Sequence, residues 1–228
     1  MGLTMRFILV TNKPWHDDLF NRLCDSNSNK WDRITSISQF NYEYLKELNP
    51  DWVFIPHWSH IIPATIFENF RCVVFHMTDL PFGRGGSPLQ NLIVRGFKET
   101  KISAIKVTKG IDTGDIYIKK TLDLSGSARD IFNRSSSIVY EMIQIIINND
   151  INPKPQIGNP VLFKRRAPGE SDISKIEKIE VLFDYIRMLD CEGYPNAFLE
   201  NDKFRFEFNN VKLDSKESII ANVRITKK

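Results

Sequence analysis

The sequence predicts an α/β protein: a Rossmann-like open sheet, mostly parallel, followed by a small C-terminal α+β subdomain containing a β-hairpin. Three observations predict it. Short apolar runs alternate with helix-period segments from Phe7 to Phe75, the pattern of a parallel sheet with helices on both faces. Asn149 to Pro160 holds three prolines and a glycine, which reads as a linker. Beyond it, Phe204, Phe206 and Phe208 alternate strictly with polar residues, as a half-buried strand does.

The elements follow in order. Phe7-Ile8-Leu9-Val10 is a buried-strand run, and Pro14 opens a helix, since proline is tolerated in the first turn. Arg33 to Ile37 reads as a second strand. Ser38 is placed to cap a helix on which Phe40, Tyr44, Leu45 and Leu48 share a face. Trp52 to Ile55 is a third strand, ended by Pro56. Pro63 to Phe70 is a short helix, and Cys72 to Phe75 a fourth strand. His76 to Gly86 carries no periodic apolar pattern. Ser87 and Pro88 then cap and start a helix. Ile102 to Val107 and Tyr117 to Leu122 read as strands. Ser127 and Asp130 form a capping box for the longest helix, which runs to about Asn148. Ser174 and Glu177 suggest another before Ile179, Leu182, Phe183 and Ile186. A hairpin at Ala197–Glu200 and Phe204–Phe208, and a last strand with Val223 and Ile225, complete the chain. Domain bounds follow: a catalytic domain over 1–150, a linker over 151–163 and a C-terminal subdomain over 164–228.

Composition excludes several classes. The 228 residues carry 31 Lys and Arg against 28 Asp and Glu, a net charge of +3. So small a charge spread over the chain is not the clustered basic footprint of a nucleic-acid binder, and no nucleic-acid partner is expected. No apolar run approaches the ~20 residues of a membrane span. The N-terminus lacks the apolar segment and cleavage site of a signal peptide. Three widely spaced cysteines imply no disulfide framework and point to the reduced cytoplasm.

Ligands of open parallel sheets sit at the carboxyl ends of the strands, so the loops there are where chemistry is sought. Three qualify: Pro56 to His60, His76 to Gly86, and Gly110 to Asp115. Gly83-Arg84-Gly85-Gly86-Ser87 has the look of a phosphate loop but lacks the Lys-Ser/Thr ending, and a plain turn into a helix explains it as well. His57, His60, His76 and Cys72 match no standard zinc spacing, so no metal site is expected. His16 lies on a helix expected at the surface, in solvent. Asp112 and Asp115 flank a Thr-Gly turn whose residues favour turns regardless of function.

The combination says more than any part. From His76 the chain reads His-Met-Thr-Asp-Leu-Pro-Phe-Gly-Arg-Gly-Gly-Ser-Pro-Leu-Gln. This resembles the formyltransferase motif His-x-Ser-Leu-Leu-Pro-x-x-Arg-Gly-x-x-Pro-x-Gln, in register at His76, Leu80, Pro81, Arg84, Gly85, Pro88 and Gln90. Gly110 to Asp115 resembles that family's second motif, and weaker echoes occur around Ile186–Asp190 and Gly193–Phe198. The resemblance implies transfer of a formyl group from N10-formyltetrahydrofolate to an amine, with His76 and Asp112 as the catalytic pair. An imidazole is suited to take the proton that an attacking amine must lose, and a carboxylate beside it orients the ring.

One departure stands out. Where the family has an oxyanion-binding Asn two residues before the His, this chain has Val74. Thr78 is a candidate replacement donor, as are Ser59, His60, protonated His76 and a backbone amide. Loss of one such donor typically costs roughly 10²–10³ in rate. The resemblance further assigns His57, Trp58, Ser59, His60, Ile61, Leu80, Pro81, Ile111 and Asp112 to cofactor binding. For the acceptor, the sequence looks most like short sugar N-formyltransferases of pseudaminic-acid-type pathways. That implies a nucleotide-linked amino sugar, bordered by Met77 and Tyr194, with Arg84, Arg165 and Arg166 as cationic partners. Methionyl-tRNA, a carrier-bound amino acid, hydrolysis of the cofactor and a non-catalytic folate-binding module are the alternatives. The alternating phenylalanine face needs cover, either within the monomer or in a homodimer.

Overall fold

The computed structural model describes residues 4–26, 28–149 and 151–228. Met1–Leu3 of the N-terminal segment and Asp150 of the expected linker lie outside the described residues. The chain opens with β1 (Arg6–Val10), α1 (Asp17–Asp25), β2 (Lys30–Ile34), α2 (Tyr42–Leu48), β3 (Trp52–Pro56), α3 (Ala64–Phe67) and β4 (Cys72–His76). There follow β5 (Phe82–Gly85), α4 (Pro88–Ile93), β6 (Glu99–Lys106), β7 (Ile116–Asp123) and α5 (Ala128–Asn148). The remainder is β8 (Val161–Phe163), α6 (Ile179–Arg187), β9 (Ala197–Glu200), β10 (Phe204–Leu213) and β11 (Ile219–Lys227).

Two compact units make up the chain. The first holds the described residues of Met1–Gly85, Lys101–Leu122 and Asn133–Leu162; the second holds Gly86–Thr100, Asp123–Phe132 and Phe163–Lys228. The large sheet runs β2-β1-β3-β4-β6-β7. Strands β2, β1, β3 and β4 are mutually parallel, and β6 adds antiparallel to β4. The central strands lie between two covered faces, so they read as unbroken apolar runs: Phe7 to Val10 and Val53 to Ile55 are fully buried. One face packs Ile8, Val10, Val53, Ile55 and Cys72 against Ile34, Phe40, Leu45 and Ile66. The second unit carries an antiparallel sheet ordered β11-β10-β9, on which α6 packs against β10. This is the expected small α+β region with its hairpin.

Several local expectations are corrected, each for a visible reason. The second strand lies earlier than Arg33 to Ile37, because its pairing with the five-residue β1 ends at Val10 against Ile34. Asn41, not Ser38, caps α2: its Oδ1 accepts the Tyr44 N–H at 3.0 Å, while Ser38 Oγ lies 3.1 Å from Ser36 Oγ. Ser87 does not cap α4; it sits at φ 50 and its hydroxyl accepts the Arg166 N–H at 3.1 Å. Ser174 does not cap α6, which starts at Ile179; its own N–H is held by Asp172 Oδ1 at 2.9 Å. The box at Ser127 and Asp130 forms as the sequence implies, with the Asp130 carboxylate accepting from Ser127 and the Ser127 hydroxyl accepting from Asp130 N–H. Strand β5 was hidden because Gly83 and Gly85 remove any apolar alternation; it pairs with β8 in a separate two-stranded sheet.

Candidate active site

His76 is the last residue of β4, at the carboxyl end of a parallel strand, and is 7% exposed. Its Nε2 lies 2.7 Å from the Gly83 carbonyl. A carbonyl only accepts, so Nε2 carries a proton. Nδ1 faces Asp112 Oδ2 at 3.4 Å. The same carboxylate oxygen accepts the Gly85 N–H at 2.9 Å. The ring is thus fixed from one side by β5 and from the other by the turn after β6. The carboxylate at Nδ1 can orient the ring and stabilise an imidazolium formed on proton uptake.

The Asp112 turn has its own geometry. Asp112 adopts φ 53, a left-handed conformation that Asp tolerates better than most residues. Gly114 lies against the chain so closely that a Cβ there would sit 1.7 Å from the Lys106 carbonyl oxygen. Gln156 reaches this turn from the proline-rich segment. Its amide donates to the Asp112 and Gly114 carbonyls, both at 2.8 Å. Its Oε1 accepts from Arg84 Nε at 3.1 Å and Nη2 at 2.8 Å. Sequence reasoning passed over Gln156; a lone polar residue in a supposed linker carries no local signal.

The other expected site residues are placed as follows. Thr78 is fully buried, and its hydroxyl donates to the Gly83 carbonyl at 3.3 Å. Val74 packs against the apolar cluster beside β3. Leu80 is buried with its N–H on Ser103 Oγ at 3.3 Å, and Pro81, joined to it by a cis bond, accepts from Val161 N–H at 3.2 Å. Trp58 packs against the same apolar cluster and meets Phe40 edge-on at 5.6 Å. Ser59 and His60 are exposed, while Ile61 and Ile111 are 86% and 67% exposed. Met77 is buried, and Arg84 is engaged by Gln156. In the second unit, Arg166 donates to the Glu170 carbonyl and lies over the Tyr185 ring. Tyr194 stacks on Phe132 at 5.3 Å. Burial and the neighbouring Cys191 push its hydroxyl up to about 12 against the opposing charge of Arg165. Among the described residues no group of three or more His, Cys, Asp and Glu could hold a metal ion.

His16 corrects the sequence reading outright: it is fully buried rather than solvated. Its Nε2 lies 2.8 Å from His57 Nδ1, its Nδ1 lies 2.8 Å from Ser136 Oγ, and His57 Nε2 lies 2.8 Å from Met77 Sδ. A thioether only accepts, which orients the whole series: Ser136 O–H to His16, His16 Nε2–H to His57, His57 Nε2–H to Met77. Both rings are therefore neutral. Burial holds His16 well below the usual histidine range, assisted by His57, and brings His57 down to about 3, assisted by Lys13 and His76.

A pH dependence of stability follows. These rings bind protons in the unfolded chain and not in the folded one, so stability is complete above the ordinary histidine value and is lost as pH falls below it. A ring taken from about 6.5 to about 3 costs up to about 2 kcal/mol at pH 5. Burial raises Asp79, but its pairing with Lys119 and Lys101 outweighs this and holds it below the usual carboxylate value. Its contribution is lost only in more acid solution. Thermal unfolding should therefore show Tm falling by roughly 4–8 °C between pH 7.5 and 5, with a flatter dependence in His16→Leu. An equal slope in both proteins would remove the paired histidines as the cause.

Residues 20–132 match the Formyl transferase profile, and residues 168–226 match Methionyl-tRNA formyltransferase, C-terminal domain. The chain is 48% identical to the solved methionyl-tRNA formyltransferase from Clostridium thermocellum, with a TM-score of 0.95, covering 98% of this chain and 100% of that one. The methionyl-tRNA formyltransferase of a Nitratiruptor species is 27% identical over 186 residues, 76% of this chain and 58% of that protein. The chain spans little more than half the length of the curated relatives it matches. HypX from Aquifex aeolicus, solved in complex with tetrahydrofolic acid, has a TM-score of 0.77 over 95% of this chain and 40% of that one. At 13% identity that likeness shows the fold alone.

These findings overturn the expected acceptor. The proteins with the stronger sequence likeness are named for methionyl-tRNA, not for a nucleotide-linked amino sugar. Residues 168–226 match the model of that enzyme's C-terminal domain. The expected absence of a nucleic-acid partner falls with it. The physical reason is that a net charge averages the whole chain and does not report where basic residues gather; Lys164, Arg165 and Arg166 are consecutive.

Proposed function

Because the chain belongs to the formyl transferase family, we propose that it moves a formyl group from N10-formyltetrahydrofolate to the α-amino group of methionyl-tRNA. The carrying observation is the His76 ring, held at Nε2 by the Gly83 carbonyl and facing Asp112 at Nδ1. The cofactor supplies an activated formyl carbon. His76 Nδ1 would take the proton that the attacking amine loses, with Asp112 beside it stabilising the imidazolium, and would pass that proton to N10 as the bond between N10 and the formyl carbon breaks, leaving tetrahydrofolate. The Gly83 carbonyl keeps the opposite nitrogen protonated throughout, so the ring exchanges protons at one atom only.

Ile61, in the loop after β3, and Ile111, next to Asp112, present apolar side chains to solvent, which suits a flat pterin with an aromatic extension. Trp58 serves as packing beneath that loop rather than as a stacking face. Val74 donates nothing, so the oxyanion is met by another group. The reading of methionyl-tRNA as acceptor rests on the 48% likeness and on the C-terminal match at residues 168–226. We place the reaction in the cytoplasm, where Cys24, Cys72 and Cys191 remain free thiols. Among the described residues no helix is long and apolar enough to cross a membrane.

The test is incubation of the protein with N10-formyltetrahydrofolate and charged methionyl-tRNA, followed by mass analysis of the amino acid after mild hydrolysis of the ester. Formylmethionine is the expected product. Free methionine alone, at a protein concentration that releases formyl from the cofactor, would overturn the acceptor. No loss of formyl from the cofactor would overturn the reaction.

A further inference from the structure

We infer that Gln156 is a positioning residue for the His76–Asp112 pair, an inference that rests on reading those two residues as catalytic. Four hydrogen bonds converge on one side chain: two given, to the Asp112 and Gly114 carbonyls at 2.8 Å, and two accepted, from Arg84 Nε and Nη2 at 3.1 and 2.8 Å. An amide has two donors and two acceptor sites on its oxygen, so Gln156 is fully committed. Its orientation is unambiguous, because a guanidinium only donates and backbone carbonyls only accept.

The partners matter more than the count. Arg84 belongs to β5, and β5 supplies both groups that hold the pair from one side: the Gly83 carbonyl on His76 Nε2 and the Gly85 N–H on Asp112 Oδ2. Asp112 and Gly114 belong to the turn that presents the carboxylate from the other side. Gln156 is thus a brace between the two segments whose separation sets the distance of 3.4 Å from His76 Nδ1 to Asp112 Oδ2. Asp112 also stands at φ 53, a conformation that needs support from outside the residue. Gln156 itself touches neither the imidazole nor the carboxylate in this set of bonds, so its action is through geometry.

Two variants separate bracing from bulk. Gln156→Leu removes all four bonds at similar volume. Gln156→Glu keeps a partner for Arg84 but places a carboxylate against two carbonyl oxygens. Misplacement of a catalytic group by about 1 Å can cost about 10²-fold. Both variants should therefore lower kcat by roughly 10- to 100-fold, with a change in the cofactor KM of less than about threefold. In an Asp112→Asn background, Gln156→Leu should add little further loss, because the group it positions is already disabled. A full loss in that background would assign Gln156 to general stability instead. Wild-type kcat in Gln156→Glu would overturn the brace.

A second readout needs no turnover. In the ligand-free protein, the His76 ring signals, identified by NMR through their absence in His76→Asn, should move in Gln156→Leu in the direction they move in Asp112→Asn. Unmoved His76 signals in a folded Gln156→Leu protein would overturn the inference. That outcome is distinct from failure of the formyl-transfer reading, which would show as an inactive wild type with His76 signals still sensitive to Gln156.

Discussion

His76→Asn should reduce formyl transfer by roughly 10²–10⁴-fold, the range a positioned general base contributes. Asparagine is smaller but polar; its amide reaches only the position of Nδ1 and gives up the bond that His76 Nε2 makes to the Gly83 carbonyl at 2.7 Å in the wild type. It has no basic nitrogen to place opposite Asp112. The fold should survive, since β4 keeps its parallel pairing to β3 and its antiparallel pairing to β6 through the backbone. Thermal unfolding near neutral pH and cofactor binding by fluorescence should stay close to wild type, while single-turnover transfer collapses. Asp112→Asn should lose less than His76→Asn: Nδ1 remains basic, but its gained proton meets an amide instead of a carboxylate. Transfer by His76→Asn within threefold of wild type would mean that the amine loses its proton elsewhere.

Gly114→Ala should be strongly damaging. The added Cβ would stand 1.7 Å from the Lys106 carbonyl oxygen, 2.9 Å from its carbon and 3.4 Å from Thr108 Oγ1. The first of these is backbone, at the end of a strand bonded into the sheet, so it cannot rotate away as a side chain could. Lys106 also pairs with Val73 of β4, three residues before His76. Relief therefore has to come from the turn itself, which carries Asp112 on one side and receives Gln156 at the Gly114 carbonyl. Overpacking of this kind costs about 1–3 kcal/mol or more in stability. The expected result is a Tm lower by several degrees together with a loss of transfer of at least about 10²-fold, because the carboxylate moves with the turn. Gly169→Ala is the matched control: nothing lies within 4 Å of a Cβ there, and both properties should be unchanged. If Gly114→Ala loses stability but keeps full activity, the turn does not need its present position for Asp112 to work.

The legible part of this protein is the part encoded by local periodicity. Apolar runs at Phe7–Val10, Trp52–Ile55 and Cys72–Phe75 are strands because a strand buried on both faces admits no polar alternation. The alternation at Phe204 to Phe208 is a hairpin strand paired on both edges, with β9 and β11, although its burial does not alternate: Phe204 is exposed and Arg205 to Phe208 are all half-buried. His76 and Asp112 were legible as a pair only through a resemblance in motif; nothing in their spacing along the chain predicts a contact of 3.4 Å. Caps were misplaced where several Ser and Asn residues compete within a few positions, as at Ser36, Ser38 and Asn41, since each can satisfy the same N–H groups.

By itself, then, the sequence determined the succession of strands and helices along the chain, β5 and β8 excepted, and the apolar faces that must be covered. The tertiary structure alone decided which polar groups meet. His16 looked solvated on a short amphipathic segment, yet it is buried against Ser136, 120 residues away, because the fold brings the segment after β1 against α5. Gln156 looked like linker, yet it braces Asp112 across 44 residues and Arg84 across 72. Hydrophobic burial is a property of a residue and its near neighbours and leaves a period in the sequence. A hydrogen bond between distant side chains depends on strand order, and strand order leaves no period.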